Sequence, residues 1–379
     1  MEVRGRDPLT GEALSVTVEE GRIAAVEPAG GVPGHYLSAG LVDLQVNGYL
    51  GRDLNGGAVT PEDVQALCRH MAARGVTTFL PTLITAAEET LVQAMRAIAT
   101  ARAEDPLAAR MIPGIHVEGP AISPEDGPRG AHPAAHVRPP DLREFERWQE
   151  ASGGLVSLVT LCPAHDGALG FISALARAGV HVSVGHSSAA PAQIMAAVRA
   201  GARLSTHLGN GAPATMPRHP NPIWTQLDLD DLTAMLIVDG HHLPPEVVRV
   251  MLRAKGRERS ILVSDVVALG GMPPGVYESP IGGAVEVSAS GRVGMAGTGF
   301  LAGAGLTLEA CVAICAGMLA TTPGHVLPLA TRNPGRFVGG RGRLDVGAPA
   351  DLFLYDWQPG DTALSVMEVY VGGEQVAPC

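Results

Sequence analysis

Eight short apolar runs follow one another through the middle of the chain, and they constrain its fold more than any other feature. They are Leu41 to Gly48, Thr77 to Leu83, Met111 to Gly119, Val156 to Pro163, His181 to His186, Leu204 to Asn210, Thr233 to Gly240 and Ser260 to Asp265. Apolar runs of this length are what strands covered on both faces look like. The intervening segments carry helix signals. Thr60-Pro61-Glu62-Asp63 offers an N-cap, a proline at the first helical position and acids in the first turn, and Gly75 closes the helix. Helices also fit Ala86 to Ala103, Asp141 to Ala151, Ala168 to Ala178, Pro191 to Ala200 and Pro245 to Ala254, the last three stopped by Gly179, Gly201 and Gly256. Eight strands alternating with helices predict an α/β chain built as a (β/α)8 TIM-type barrel, which carries chemistry at the carboxyl ends of its strands.

The chain ends read differently. Leu14 to Val18 and Arg22 to Val26, separated by Gly21, alternate as a hairpin does, and so do Ala350 to Asp356 and Val366 to Val371 near the other end. We therefore expect residues 1–39 and 341–379 to form the two parts of one small β-sandwich, with the barrel over 40–340. The 379 residues suit a barrel of about 250 with an appended unit.

Composition excludes several partners. A formal charge of −11 gives no basic field for nucleic acid or an anionic membrane. No segment reads as a signal peptide or a bilayer span, so a soluble protein is expected. The five cysteines, Cys68, Cys162, Cys311, Cys315 and Cys379, are odd in number and contain no C-x-x-C pair, which argues for a reducing cytoplasm rather than a disulfide framework.

Chemistry collects at the strand ends. Glu118 ends the third apolar run, and a carboxylate there is costly to bury unless a cation or donor meets it. His186 and His207 end the fifth and sixth runs. One Glu and two His facing a single rim make a ligand set suited to Zn2+ or Fe2+ with an open position for water. Asp265, at the end of the eighth, faces the same rim and is a candidate for moving protons to and from such a water. Asp239 with His241 and His242 follows the seventh, where one histidine is placed either to polarise a carbonyl or to hold a sugar hydroxyl, and the other is a spectator.

These residues resemble the N-acetylglucosamine-6-phosphate deacetylase family of the amidohydrolase superfamily. The resemblance is carried by Leu41-Val42-Asp43-Leu44-Gln45-Val46-Asn47-Gly48, Pro81-Thr82, His116-Val117-Glu118-Gly119-Pro120, Gly185-His186-Ser187, Asn333-Pro334, Gly342 to Gly347 and Ala350-Asp351-Leu352. It implies metal-dependent removal of the acetyl group from an N-acetyl phosphosugar. Glu118, His186 and His207 would be the ligands, Asp265 the general acid and base, and His242 the carbonyl-polarising group. Asn210, the Gly211 amide, His132 and the backbone around Ala304 would meet the substrate. Arg218, at the family's phosphate-binding position, would come from a neighbouring subunit, which implies a homodimer. Most amidohydrolases carry His-x-His after the first strand; Gln45 and Asn47 stand there instead. The only lysine, Lys255, is not near the fourth strand. One divalent ion per subunit is therefore expected, zinc before iron. Gly209, Ala212 and the stretch Pro217 to Trp224 depart from the family pattern, which leaves a different N-acyl sugar or amino compound, or a non-catalytic phosphosugar binder, as the alternatives.

Overall fold

The computed structural model describes residues 1–31, 34–279 and 283–377. Eight parallel strands pair in chain order: Leu41–Val46, Val76–Ile84, Ile115–Glu118, Val156–Leu161, His181–Val184, Leu204–Ser205, Thr233–Ile237 and Ser260–Val263. The ring closes just beyond the last strand, where the Asp265 amide donates to the Gln45 carbonyl at 3.0 Å and the Asn47 amide to that of Val266 at 2.9 Å. Asp43, fully buried, fastens this seam: its Oδ1 accepts from the amides of Gln45 and Ser264, both at 3.2 Å. The third and sixth runs are shortened most as strands relative to their apolar length. Met111 ends the helix Pro106–Met111, so the third strand starts only at Ile115, and the sixth keeps two residues before turning at His207.

The helices form where their caps place them. Thr60 accepts from the Asp63 amide in a full capping box, and Pro61–Ala72 follows. Glu88–Glu104, Leu142–Ser152, Ala168–Arg177, Pro191–Ala200 and Pro245–Lys255 lie where they were expected. Their buried faces and the outer faces of the strands make the main core, while Val42, Leu44, Leu80, Leu158, Met235, Ile237, Ile261 and Val263 fill the barrel interior.

Towards the carboxyl ends of the strands the interior becomes polar. His116 bonds the Leu44 carbonyl through Nδ1 at 3.1 Å and Thr160 through Nε2 at 2.8 Å, and the Thr160 hydroxyl meets that of Thr206 at 2.7 Å. Burial pushes His116 down to about 4, so it is neutral. Every member of this network is paired, which is how a barrel keeps polar groups dry at little cost.

Both chain ends join one seven-stranded sheet, ordered Glu374–Ala377, Ser365–Val371, Leu352–Asp356, Tyr36–Ala39, Glu2–Arg6, Ala13–Glu19 and Arg22–Pro28. The sheet bends over its own core of Val16, Ile23, Leu37, Leu352 and Leu354, and the Ile23 amide reaches the Ala348 carbonyl at 3.0 Å to bring its edge back. A further three-stranded antiparallel sheet, Gly275–Ser279, Gly283–Val287 and Val293–Met295, is inserted after the eighth strand; the apolar pattern did not announce it. Among the described residues no helix is long and apolar enough to cross a membrane. Cys68, Cys162, Cys311 and Cys315 are buried and free, and Cys379 lies outside the described residues.

Candidate active site

The third, fifth and sixth strands deliver Glu118, His186 and His207 to one point. His207 Nε2 lies 3.1 Å from Glu118 Oε1, His186 Nε2 lies 3.4 Å from the same oxygen, and the two imidazole nitrogens are 3.0 Å apart. All three residues are buried. His186 Nδ1 sits 2.8 Å from the Pro128 carbonyl, which can only accept, so the proton belongs on Nδ1 and Nε2 is left as a bare lone pair.

Two lone pairs and a carboxylate crowded together require a positive charge between them. Burial opposes a proton on His207, but the Glu118 carboxylate prevails and raises it to about 9. Burial would likewise raise Glu118, yet the rings of His186, His132 and His207 hold it well below the usual carboxylate range. A divalent ion answers the same demand. Ligands about 2.0–2.1 Å from a tetrahedral ion stand roughly 3.3 Å apart, close to the spacing here, and a carboxylate with two neutral imidazoles is a zinc or ferrous donor set.

The backbone is held in unusual shapes to achieve this. Among the described residues other than glycine, His186, His207 and Asp265 have positive φ angles of 45°, 29° and 52°. That three of the few such residues meet at one point identifies a place where the fold tolerates strain. Gly211, at φ +59°, passes so close that a Cβ would lie 3.0 Å from both His186 Nδ1 and His207 Cε1. Only glycine fits there.

The two first-strand amides face carboxylates. Gln45 Nε2 donates to Glu118 Oε1 at 3.0 Å, and Asn47 Nδ2 to Asp265 Oδ1 at 2.8 Å. An N–H donor brings no lone pair to an ion, so these side chains orient acids rather than ligate. Asp265 is half-buried at the cavity floor, and loss of solvent, then the charge of Glu118, raises it to about 6. His242 Nδ1 lies 2.8 Å from Asp239 Oδ2, while Asp239 Oδ1 accepts from the amides of His241 and His242, both at 2.9 Å. Burial would raise Asp239, but the His242 ring outweighs it and brings it down to about 2. The ring is thereby fixed with Nε2 free.

One cavity of about 460 Å³ joins these groups. Glu118, His186, His207, His242, Asp265, Asn47, His132, Asn210 and Gly211 all line it. His132, bonded to Thr85 at 2.9 Å, sets its ring 4.2 Å from that of His186 at a 57° tilt, and its Nε2 is 3.6 Å from Glu118 Oε2. Asn210 Nδ2 is buried without a partner, as a substrate-facing donor would be.

Other expected positions lie elsewhere. Gln45 sits behind Glu118, outside the cavity lining. Ala304 is buried in the barrel wall, its carbonyl accepting from the Val267 amide at 3.0 Å, and residues 299–303 line the cavity in its place. Arg218 is exposed and does not line the cavity, and neither does Trp224, at 52% exposure. Sequence reasoning missed Asp53 and Asn55, in the turn after the first strand, and the apolar lining made by Ile237, Val267, Leu269, Val285, Phe300 and Leu301. Asp53 could have been suspected as an acid just past a strand end; the apolar residues bear no comparable mark.

The model of the amidohydrolase family matches residues 36–376, nearly the whole chain. The chain belongs to this family. As an amidohydrolase it is similar to N-acetylglucosamine-6-phosphate deacetylase of Bacillus subtilis, 33% identical over 72% of this chain and 68% of that protein. It is also similar to N-acetylgalactosamine-6-phosphate deacetylase of Escherichia coli O157:H7, 30% identical over 98% of both. Among solved structures, N-acetyl-D-glucosamine-6-phosphate deacetylase from Mycobacterium smegmatis superposes with a TM-score of 0.88 at 30% identity, covering 100% of each chain. The Thermotoga maritima N-acetylglucosamine-6-phosphate deacetylase gives 0.87 at 27% identity, again over 100% of each chain.

Proposed function

We propose that this amidohydrolase removes the acetyl group from an N-acetylhexosamine 6-phosphate, the glucosamine epimer first, to give the amino sugar phosphate and acetate. The observation that carries this reading is the convergence of Glu118, His186 and His207 with Asp265 and His242 on one cavity. Relatives named for two epimers support the substrate class.

Glu118, His186 and His207 would hold one divalent ion, zinc or iron, which when bound supplies an acidified water and a Lewis acid for the carbonyl. Asp265, ionised near neutral pH and steadied by Asn47, takes a proton from the attacking water and returns it to the departing nitrogen. His242, whose Nδ1–H donates to the Asp239 carboxylate, would donate a second N–H from Nε2 to the carbonyl oxygen as charge develops there, a doubly protonated ring that the Asp239 charge favours. Asn210 and the Gly211 backbone stand where a sugar or phosphate oxygen would be met. Among the described residues no Lys or Arg lines the cavity. A phosphate needs a cation, and Arg218 of the partner subunit in a cytoplasmic homodimer would supply it. The test is acetate release by metal-loaded protein from N-acetylglucosamine 6-phosphate, its galactosamine epimer and the unphosphorylated sugar. Turnover confined to phosphate esters supports the reading; failure on all three overturns it.

A further inference from the structure

Polar groups, Asp53, Asn55, His132, Asn210 and Gly211, line the cavity together with a contiguous apolar wall of Val267, Leu269, Val285 and Ala302, which Leu301 and Phe300 continue. The wall is part of the satellite core of the inserted sheet, packed with Val287 and Val293. At its mouth Phe300 is 77% exposed, on a loop between Gly297 at φ +72° and Gly303 at φ +122°. Phe300 thereby carries the apolar wall out to the rim, and a contiguous apolar surface at a cavity rim is what a ligand would cover.

A hexosamine phosphate offers hydroxyls, a ring oxygen and a phosphate; its only apolar part is the acyl chain. The carbonyl must lie over Glu118, His186 and His207, the hydroxyls and phosphate of the sugar match the polar groups, and the acyl chain is the part that matches the apolar wall. A single methyl would leave most of that wall wet. We infer that the apolar wall is an acyl subsite built for chains longer than acetyl, so that the protein hydrolyses N-propionyl, N-butyryl and longer N-acyl hexosamine phosphates as well as the N-acetyl compound; this rests on the deacylase reading above. The step is the same for each. Water oxygen bonds to the acyl carbon, the C–N bond breaks, and one proton from water passes through Asp265 to the leaving nitrogen, giving a carboxylate and an ammonium group at neutral pH.

The test is kcat/KM for N-acetyl, N-propionyl, N-butyryl and N-hexanoyl glucosamine 6-phosphate on the metal-loaded chain, with Phe300→Ser alongside. The expected result is no loss along the series and a gain of up to about threefold per added methylene. Phe300→Ser, at an exposed position that the fold does not need, should lower the butyryl-to-acetyl ratio severalfold. A fall of tenfold or more per methylene, as in a pocket closed around acetyl, overturns the subsite, and so does a ratio that Phe300→Ser leaves unchanged. If the deacylase reading itself is wrong, the whole series is silent, acetyl included.

Discussion

The floor of the cavity and its apolar wall are made on opposite terms. The floor is built from strand ends: Glu118, His186 and His207 are buried and crowd one point, Asp265 is held by Asn47, and His186, His207 and Asp265 have backbone angles that other residues avoid. The wall is built from an insertion and a glycine-flanked loop, touches solvent at Phe300, and relies on packing alone. Reactive groups need placement to a fraction of an ångström, which a closed ring of strands provides. Selection of an apolar group needs only surface of the right extent, which a loop provides and can change without disturbing the chemistry.

If the division is right, changes in the floor cost catalysis and changes in the wall cost selectivity. Glu118→Gln should have the largest effect. It removes the one anionic ligand from between two imidazoles, so bound metal falls well below one per chain and activity drops by roughly a thousandfold or more. Metal analysis beside the rate decides the matter: a variant that keeps its metal and its rate would show that the floor is not a metal site. Stripping the ion from the parent protein with a chelator should abolish turnover, and divalent metal should restore it.

Asp265→Asn comes next, with an expected loss of about 10²–10⁴ in kcat and the metal retained. In the parent enzyme the working form of Asp265 is the carboxylate, so kcat/KM should fall as acid is added. Burial and Glu118 together raise this group to about 6, and a bound cation nearby pulls it back down, so the acid limb belongs at or below about pH 6. Disappearance of that limb in a pH–rate profile of Asp265→Asn would identify its source; persistence would assign it to another group.

The same contrast explains what the sequence made legible. Parallel strands covered on both faces read as apolar runs, and a carboxylate or imidazole at the end of such a run is costly enough to stand out, so the barrel, Glu118, His186, His207 and Asp265 were all visible. Leu204–Ser205 is too short to show a period, and its run was read through the turn that carries His207. The inserted strands are only three to five residues long, so nothing in their pattern says that Val285 faces the cavity. Phe300 is one aromatic in a glycine-rich loop. Its place at the mouth follows from where barrel closure sends the chain after Asp265, a non-local fact. The donor roles of Gln45 and Asn47 were hidden for a similar reason, since their carboxylate partners lie 73 and 218 residues away.

Asp239→Asn tests how the floor is supported rather than what it contains. The carboxylate fixes the His242 ring through Nδ1 and its charge favours the doubly protonated ring that donates from Nε2, whereas a neutral amide keeps at most the hydrogen bond and not the charge. We expect kcat to fall by about 10–100-fold with KM little changed. A change in KM alone would mean that His242 binds the ground state instead of the developing oxyanion.

The smallest effect expected is on stability, at the seam where the barrel closes. Burial raises Asp43 from 3.8 to about 7, even though the amides of Gln45 and Ser264 bond it. The unfolded chain releases this proton near pH 4, whereas the folded protein keeps it until about pH 7, so the stability that Asp43 contributes falls as pH rises through that window. Above it, an ionised carboxylate sits in the dry seam. Asp43→Asn keeps an oxygen for the two amides and cannot ionise. Urea unfolding should therefore show the variant close to the parent at pH 5 and more stable by about 1–3 kcal/mol at pH 8. Equal destabilisation at both values would mean that the seam depends on the negative charge itself, and that the floor is held by electrostatics as well as by its strand ladder.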